Sequence, residues 1–283
     1  MEVREMASSV NGRFFIAAAF EKQVMVFNAE SAEKLGEYNT HFEFGGQRIS
    51  ITNSGEYFAS AAYGRYGVSL YETATGNCLW TNKEIKRIQC IYFSDDDKIL
   101  NVVNADDSLF MVSTADGTII EKRSRISKLY VSGCGKVYLN SSGIIQWEND
   151  DIKTEEKVYK LCRSADKVYA SILGGGLLCF NINGDLVWST KNKTNEHFVD
   201  LSYNENMDIL FAIGYKYDCP RTKPYRFVNA YKADTGDLIF TDGLDDAIAW
   251  TFINSSSEVV SDEGLVYSLT GKNISPEKKY HFD

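Results

Sequence analysis

The side chains that most often carry out chemistry are few and scattered in this sequence. Histidine occurs at His41, His197 and His281. No two lie four apart as a helical metal pair requires, and there is no HExxH. His41 (THFEF) and His197 (EHFVD) read as loop residues that bond to backbone. The six cysteines, Cys78, Cys90, Cys134, Cys162, Cys179 and Cys219, form no CxxC and no Cys/His cluster. They sit in apolar runs such as LLCF and QCIYF, and read as free thiols in a reducing compartment. The glycine run GGG at 174–176 has no following helix to make a phosphate cradle, and no GxSxG elbow marks a hydrolase serine. The carboxylate runs DDD (95–97) and ENDD (148–151) read as solvated turns. No catalytic residue, cofactor site or metal site is expected.

What remains are residues suited to recognition. AYGRYG supplies Tyr63, Arg65 and Tyr66, and GYKYDCPRTKPYRF supplies Tyr215, Tyr217, Arg221, Tyr225 and Arg226. Tyrosine presents a large rigid surface with few rotors to freeze, and arginine can grip a carboxylate or phosphate with two hydrogen bonds, so both types dominate interface hot spots. The acidic pairs Asp106–Asp107 and Asp245–Asp246 could meet basic groups on the same partner. The plainer alternative is that the tyrosines and arginines pack along their own hairpins.

An internal repeat dictates how these residues are positioned. A short apolar strand, a polar turn usually closed by glycine, then two apolar residues and often an aromatic recur in LYETATGNCLW (70–80), MVSTADGTIIE (111–121), CFNINGDLVW (179–188) and AYKADTGDLIF (230–240). Weaker copies are VFNAESAEKL (26–35) and YSLTGKNI (267–274). The turns fall at Ala32, Gly76, Gly117, near Asp150, and at Gly184, Gly236 and Gly271, which is 239 residues over six intervals. Glycine after Asp, Asn or Thr provides the positive φ of a tight hairpin. Alternation at Val68, Leu70 and Leu79 is that of a half-buried strand. Two more strands precede each turn, as in QRISITNSG and EYFASAAY, giving four per unit, called a, b, c and d in chain order.

Four short strands about every 40 residues predict one all-β propeller of seven four-stranded blades over 1–283, or six or eight if the weak unit near 128–157 is parsed differently. In this architecture the b–c and d–a connections open on one face. That face should carry the Tyr/Arg loops and both Asp pairs. Trp80 and Trp188, each four residues after a turn glycine, should be buried between blades. The run SGEYFASAAYGRYGVSLYETATGNCLWT (54–81) resembles a WD-repeat unit, and its TG-x-x-L-W ending is similar to quinoprotein-type blades. The Trp-Asp dipeptide is replaced by Tyr71-Glu72, Ser113-Thr114, Trp147-Glu148 and Tyr231-Lys232. What the resemblance implies is the architecture, with partners bound at the rims and top face.

Composition narrows the function. With 39 acidic and 30 basic residues the net charge is −9, which disfavours non-specific nucleic-acid binding and favours a basic protein partner. FFIAAAF is too short to export or span, and Glu2 and Glu5 stand where a signal peptide is basic. The expectation is a cytosolic, non-enzymatic protein-binding module, monomeric alone. Its sharpest form is an immunity or inhibitor protein that neutralises a toxin such as a basic nuclease. A general interaction scaffold is one alternative. A ligand-binding or enzymatic propeller is another; it would need His or carboxylates on the inner strands, whose triplets read IYF, LSY and WTF.

Overall fold

In a computed structural model of the chain, residues 3–19, 23–40, 47–132, 135–140, 145–147, 150–152, 158–172, 175–191, 196–216, 225–244, 250–253, 258–261, 264–269 and 276–282 are described. Side chains are described through five sheets and part of the fourth and seventh.

Strands pair in chain order into seven four-stranded antiparallel sheets. The first holds β1 (Val3–Ser8), β2 (Phe14–Ala19), β3 (Gln23–Asn28) and β4 (Lys34–Asn39). The second holds β5 (Gln47–Ile51), β6 (Tyr57–Ala62), β7 (Val68–Glu72) and β8 (Cys78–Asn82). The third holds β9 (Ile88–Phe93), β10 (Ile99–Asn104), β11 (Ser108–Ser113) and β12 (Ile119–Ser124). The fourth holds β13 (Ile126–Ser132), β14 (Gly135–Asn140), β15 (Ile145–Trp147) and β16 (Asp150–Ile152). The fifth holds β17 (Val158–Arg163), β18 (Lys167–Ile172), β19 (Gly176–Asn181) and β20 (Leu186–Lys191). The sixth holds β21 (Glu196–Asn204), β22 (Ile209–Lys216), β23 (Tyr225–Lys232) and β24 (Leu238–Leu244). The last holds β25 (Trp250–Ile253), β26 (Glu258–Ser261), β27 (Leu265–Ser268) and β28 (Pro276–Lys279). No helix occurs among the described residues.

Each sheet has two apolar faces and buries them against its neighbours. Ile16 and Val26 of the first sheet pack on Ile49 and Phe58 of the second. Val68 and Leu70 of the second pack on Ile91 and Val102 of the third. Val103 and Leu109 then meet Ile126, Ile145 meets Val168 and Leu178, and Tyr169 and Trp188 meet Phe198 and Leu210. Phe211 and Val228 of the sixth sheet meet Val259 and Leu269 of the last. The last sheet packs on the first, where Tyr280 stacks on Phe15 at 4.4 Å between ring centroids. Sheets stacked face to face around an axis, with the last against the first, make a single all-β propeller. The first strand of each sheet is innermost: β1 lies beside β5 and β25, and β17 beside β21.

Aromatic side chains on the outer strands join one sheet to the next, each at the neighbour's c–d turn. The Trp80 indole N–H donates to the Thr114 carbonyl at 2.8 Å, and Trp188 donates to Ala233 at 2.9 Å. Their rings lie flat on Gly117 and Gly236, where a Cβ would come within 2.7 Å. Both glycines also have positive φ, so no other residue suits the position. The first sheet has Gly36 where tryptophan would stand. Tyr38 folds back over it, covers Gly76 and donates to Ala74 at 3.0 Å. In the last sheet the Tyr280 hydroxyl donates to Ala29 at 2.9 Å, so the same device joins the end of the chain to its beginning. Trp188 is buried as expected and Trp80 is half-buried.

One expectation needs correction. Val68 and Leu70 are buried, but Leu79 is 50% exposed. The pairing of β7 with β8 slips at this residue, as Tyr71 faces Cys78 and Leu70 faces Trp80. The bulged residue is thereby turned outwards. Leu35, Ile120, Val187 and Ile239 occupy the same bulged position in their own outer strands and are exposed in the same way. Bulges of this kind keep an edge strand from pairing with a foreign edge.

Candidate functional site

The hairpin 63–67 joins β6 to β7 on the face that receives the b–c and d–a connections. Gly67 closes it at φ +85°, with the Asn82 carbonyl 1.9 Å from where a Cβ would stand. Tyr63 and Arg65 are exposed, and the Arg65 guanidinium lies 6.0 Å from the Tyr66 ring. Arg87, the last residue of the d–a link, ties this hairpin to its neighbour. Its N–H donates to Gly64 at 2.9 Å, and its carbonyl accepts the Ala105 N–H at 2.9 Å. Its side chain bonds Asp106 at 2.7 Å and engages Tyr63. The Asp107 carbonyl in turn accepts the Ile126 N–H at 2.9 Å, extending the chain of contacts to the fourth sheet.

Tyr63, Arg65, Tyr66, Asp106 and Asp107 are therefore brought together on one rim, across the second and third sheets. Asp106 is engaged by Arg87 rather than held out for a basic partner. Arg87 was not among the sequence candidates. No sequence signal marks it, since arginine is not a residue type that turn chemistry favours at the positive φ it adopts.

The long b–c segment of the sixth sheet is in part strand rather than loop. β22 and β23 run on past the level where other hairpins turn, pairing Tyr215 with Arg226 and Lys216 with Tyr225. β21 lengthens with them, pairing His197 with Tyr215. The Arg226 guanidinium sits 5.2 Å from the Tyr215 ring, whose other neighbour is His197 at 5.2 Å. Tyr225 lies over Gly243. Tyr215, Tyr225 and Arg226 thus pack along their own hairpin, although Tyr225 remains 49% exposed. Tyr217, Arg221, Asp245 and Asp246 lie outside the described residues, as do His41, Cys134 and Cys219.

The innermost strands carry charges that were not expected there. Glu5, Arg48, Cys90, Lys128, Lys160 and Asp200 pair with Ala18, Ala61, Val103, Leu139, Ser171 and Ile213, one equivalent position in six sheets. In five of them the register slips just before this residue, and for Glu5, Cys90, Lys160 and Asp200 the bulge re-aims the side chain. Glu5 bonds Arg48 at 2.9 Å, Lys160 bonds Asp200 at 3.2 Å, and the Arg48 Nε donates to the Gln89 carbonyl at 2.5 Å. Burial pushes the Glu5 carboxyl up even with Arg48 beside it, whereas Asp200 raises Lys160. The expectation of inner strands without carboxylates is thus corrected: the charges precede the apolar triplets. Both carboxylates are bonded to cations from adjacent strands, an arrangement that ties sheets together.

The opposite face is held by its own turns. Asp97 accepts the backbone N–H groups of Asn53 at 2.7 Å and Ser54 at 2.9 Å, and Asn11 donates to Ser54 at 2.7 Å. Asp97 is therefore a clamp between sheets rather than a solvated turn residue. Of ENDD, Asp150 and Asp151 belong to β16, and 148–149 lie outside the described residues. A shallow hollow of about 530 Å³ near Asn11, Arg13 and Asn28 lies on this side. Asn11 and Asn28 spend their side-chain oxygens on the N–H groups of Arg13, Glu30 and Ser31. Among the described residues no cluster of His, Cys, Asp or Glu is arranged to hold a metal, and Cys78, Cys90, Cys162 and Cys179 form no disulfide.

No protein-family model matches this chain, and no curated protein matches its sequence.

Proposed function

We propose that the chain is a seven-bladed propeller that acts without catalysis, by binding another protein through the face carrying the b–c hairpins. Support for seven blades comes from the seven sheets and from the apolar packing of the last on the first. Architecture of this kind is what the WD-repeat resemblance implies. The observation that carries the binding reading is the rim at 63–67. It presents an exposed tyrosine and arginine on a hairpin held by a backbone bond to Arg87, which is itself bonded to the next sheet's hairpin, so ordering costs little on association. The narrower form, a cytosolic inhibitor that occludes a toxin such as a nuclease, draws its support from the net charge of −9, which attracts a basic protein at long range.

The test is affinity capture from the native host, using wild-type protein, a variant with Tyr63, Arg65 and Tyr66 all changed to Ala, and a variant with 217–224 replaced by a short Gly-containing turn. The expected result is a protein enriched on wild type and depleted by about tenfold or more on the triple variant, which is about 1.4 kcal/mol. Thermal stability of the loop variant should stay near wild type, because loop closure depends weakly on length, and the triple variant, which truncates exposed and half-buried side chains, should lose only about 1 kcal/mol. Enrichment that survives the triple variant but is lost with Lys34→Glu and Lys98→Glu on the other face would overturn the assignment.

A further inference from the structure

The rim that carries Tyr63 is basic, in a chain that is acidic overall. Arg65 stands on the 63–67 hairpin, and Lys83, Lys86 and Arg87 are exposed in the link between β8 and β9. Lys122, Arg123 and Arg125 are exposed at the end of β12 and in the link that follows. Among the described residues, the carboxylates of the same region are Glu84, Asp106, Asp107 and Glu121. Seven cations against four acids give a local +3, so the rest of the chain carries −12 of the net −9. Two of the four acids are already bonded within the rim, Asp106 to Arg87 at 2.7 Å and Glu121 to Arg123 at 2.6 Å.

Backbone conformation gives an independent reason to treat these arginines as selected. Six described residues other than glycine have positive φ: Ala32, Arg87, Asp97, Asp107, Arg125 and Asp208. Aspartate tolerates this region, and alanine is small. Arg87 at 57° and Arg125 at 67° are the two long side chains among them. Both sit at the last position of a d–a link, each followed by a buried isoleucine, Ile88 or Ile126. A left-handed non-glycine residue costs on the order of 1 kcal/mol. Glycine or asparagine would close the link at less cost but would not place a cation on this rim.

We infer that this rim receives an acidic polypeptide segment, with Arg65, Arg125 and the Lys83–Lys86 pair gripping its carboxylates and Tyr63 covering its apolar side chains. A protein segment fits better than nucleic acid, because the −12 elsewhere repels a long polyanion while a short acidic segment meets only the rim. The inference rests on the proposed binding face and names the chemistry of the segment seated there, which a partner of net positive charge can present as one acidic stretch. Net charge guides approach at long range, whereas these side chains act at contact.

The experiment is fluorescence anisotropy with a labelled 12-residue peptide of Glu, Asp and two Tyr, a Lys/Arg peptide of equal length, and a 20-base-pair DNA duplex. The acidic peptide should bind wild type saturably and more weakly as salt rises. Arg65→Glu with Arg125→Glu, and separately Lys83→Glu with Lys86→Glu, should each weaken it by about tenfold. The second pair lies wholly in an exposed link, so it keeps the test valid if the first pair fails to fold. Lys34→Glu with Lys98→Glu on the opposite face should change binding by less than about twofold. No saturable binding of the acidic peptide, equal loss from the opposite-face variant, or tighter binding of the DNA or the basic peptide would overturn the inference. None of these results bears on whether a host protein is captured through the 63–66 rim, which the capture experiment decides separately.

Discussion

Trp188 shows how one residue serves two purposes. Its ring fills the space over Gly236 between two sheets, and its N–H donates to the carbonyl of the buried Ala233. Trp188→Ala should lose about 3–5 kcal/mol, the usual cost of an emptied aromatic site. Trp188→Phe keeps most of the ring and should lose about 1–2 kcal/mol for the missing bond. Trp80→Ala should cost less than Trp188→Ala, because Trp80 is half-buried. Urea unfolding read by far-ultraviolet circular dichroism checks all three. A loss for Trp188→Ala under about 1 kcal/mol would mean that its ring is not packed between sheets. Both tryptophans were legible from the sequence by their fixed spacing from the turn glycine. Tyr38 and Tyr280 were not: Tyr38 reaches an equivalent place from two residues further along its strand, and Tyr280 from just past the end of β28.

Strands and turns were read more readily than the irregularities inside them. The b strands FFIAAA, YFASAA and ILNVVN follow from apolar runs bounded by turn residues, and all three are strands. Bulges leave no such mark. A slip of one residue in β1, β17 and β21 turns Glu5, Lys160 and Asp200 onto the inner side, and a slip in β8 turns Leu79 out of the core. Alternation alone assigns each of these side chains to the wrong face. Turn-to-turn clamps are equally hidden, because they join residues about 40 apart in sequence. Asp97 shows this on the face opposite the proposed site. Asp97→Ala should cost about 2 kcal/mol, because two backbone N–H groups of the neighbouring turn lose their acceptor and alanine must take φ of 60°. Asp97→Asn, which tolerates that φ and keeps one acceptor oxygen, should cost less. Equal stability of the alanine variant and wild type in urea would show that the clamp contributes nothing.

The whole molecule was legible because a period near 40 residues, with four strands in each, leaves few ways to bury every sheet. Its surface charge was not, since −9 is a sum that hides a basic rim. The aromatic packing between sheets also sets an alkaline limit on stability. Burial pushes Tyr231 up to about 12, and raises Tyr169 and Tyr280 as well. An unfolded tyrosine ionises near 10. The folded state therefore holds protons that the unfolded state has released. This stability is fully present below about pH 10 and is lost as pH rises towards the folded values. Phenolate absorbance followed together with circular dichroism should show a late group of tyrosines ionising only as the fold is lost. Smooth ionisation of all 17 tyrosines near pH 10 with the fold intact would contradict the packing described.

The claim that partners meet the b–c face is tested most directly by hydrogen exchange, comparing the free chain with its complex with the captured partner. Segments 63–67, 83–87, 105–107 and 121–125 come from separate parts of the sequence and share one rim, so a partner seated there should slow exchange in all four together. The a–b turns at 9–13, 52–56 and 94–98 should exchange as in the free protein. Slowing confined to those turns, with the four rim segments unchanged, would place the partner on the opposite face and contradict the account.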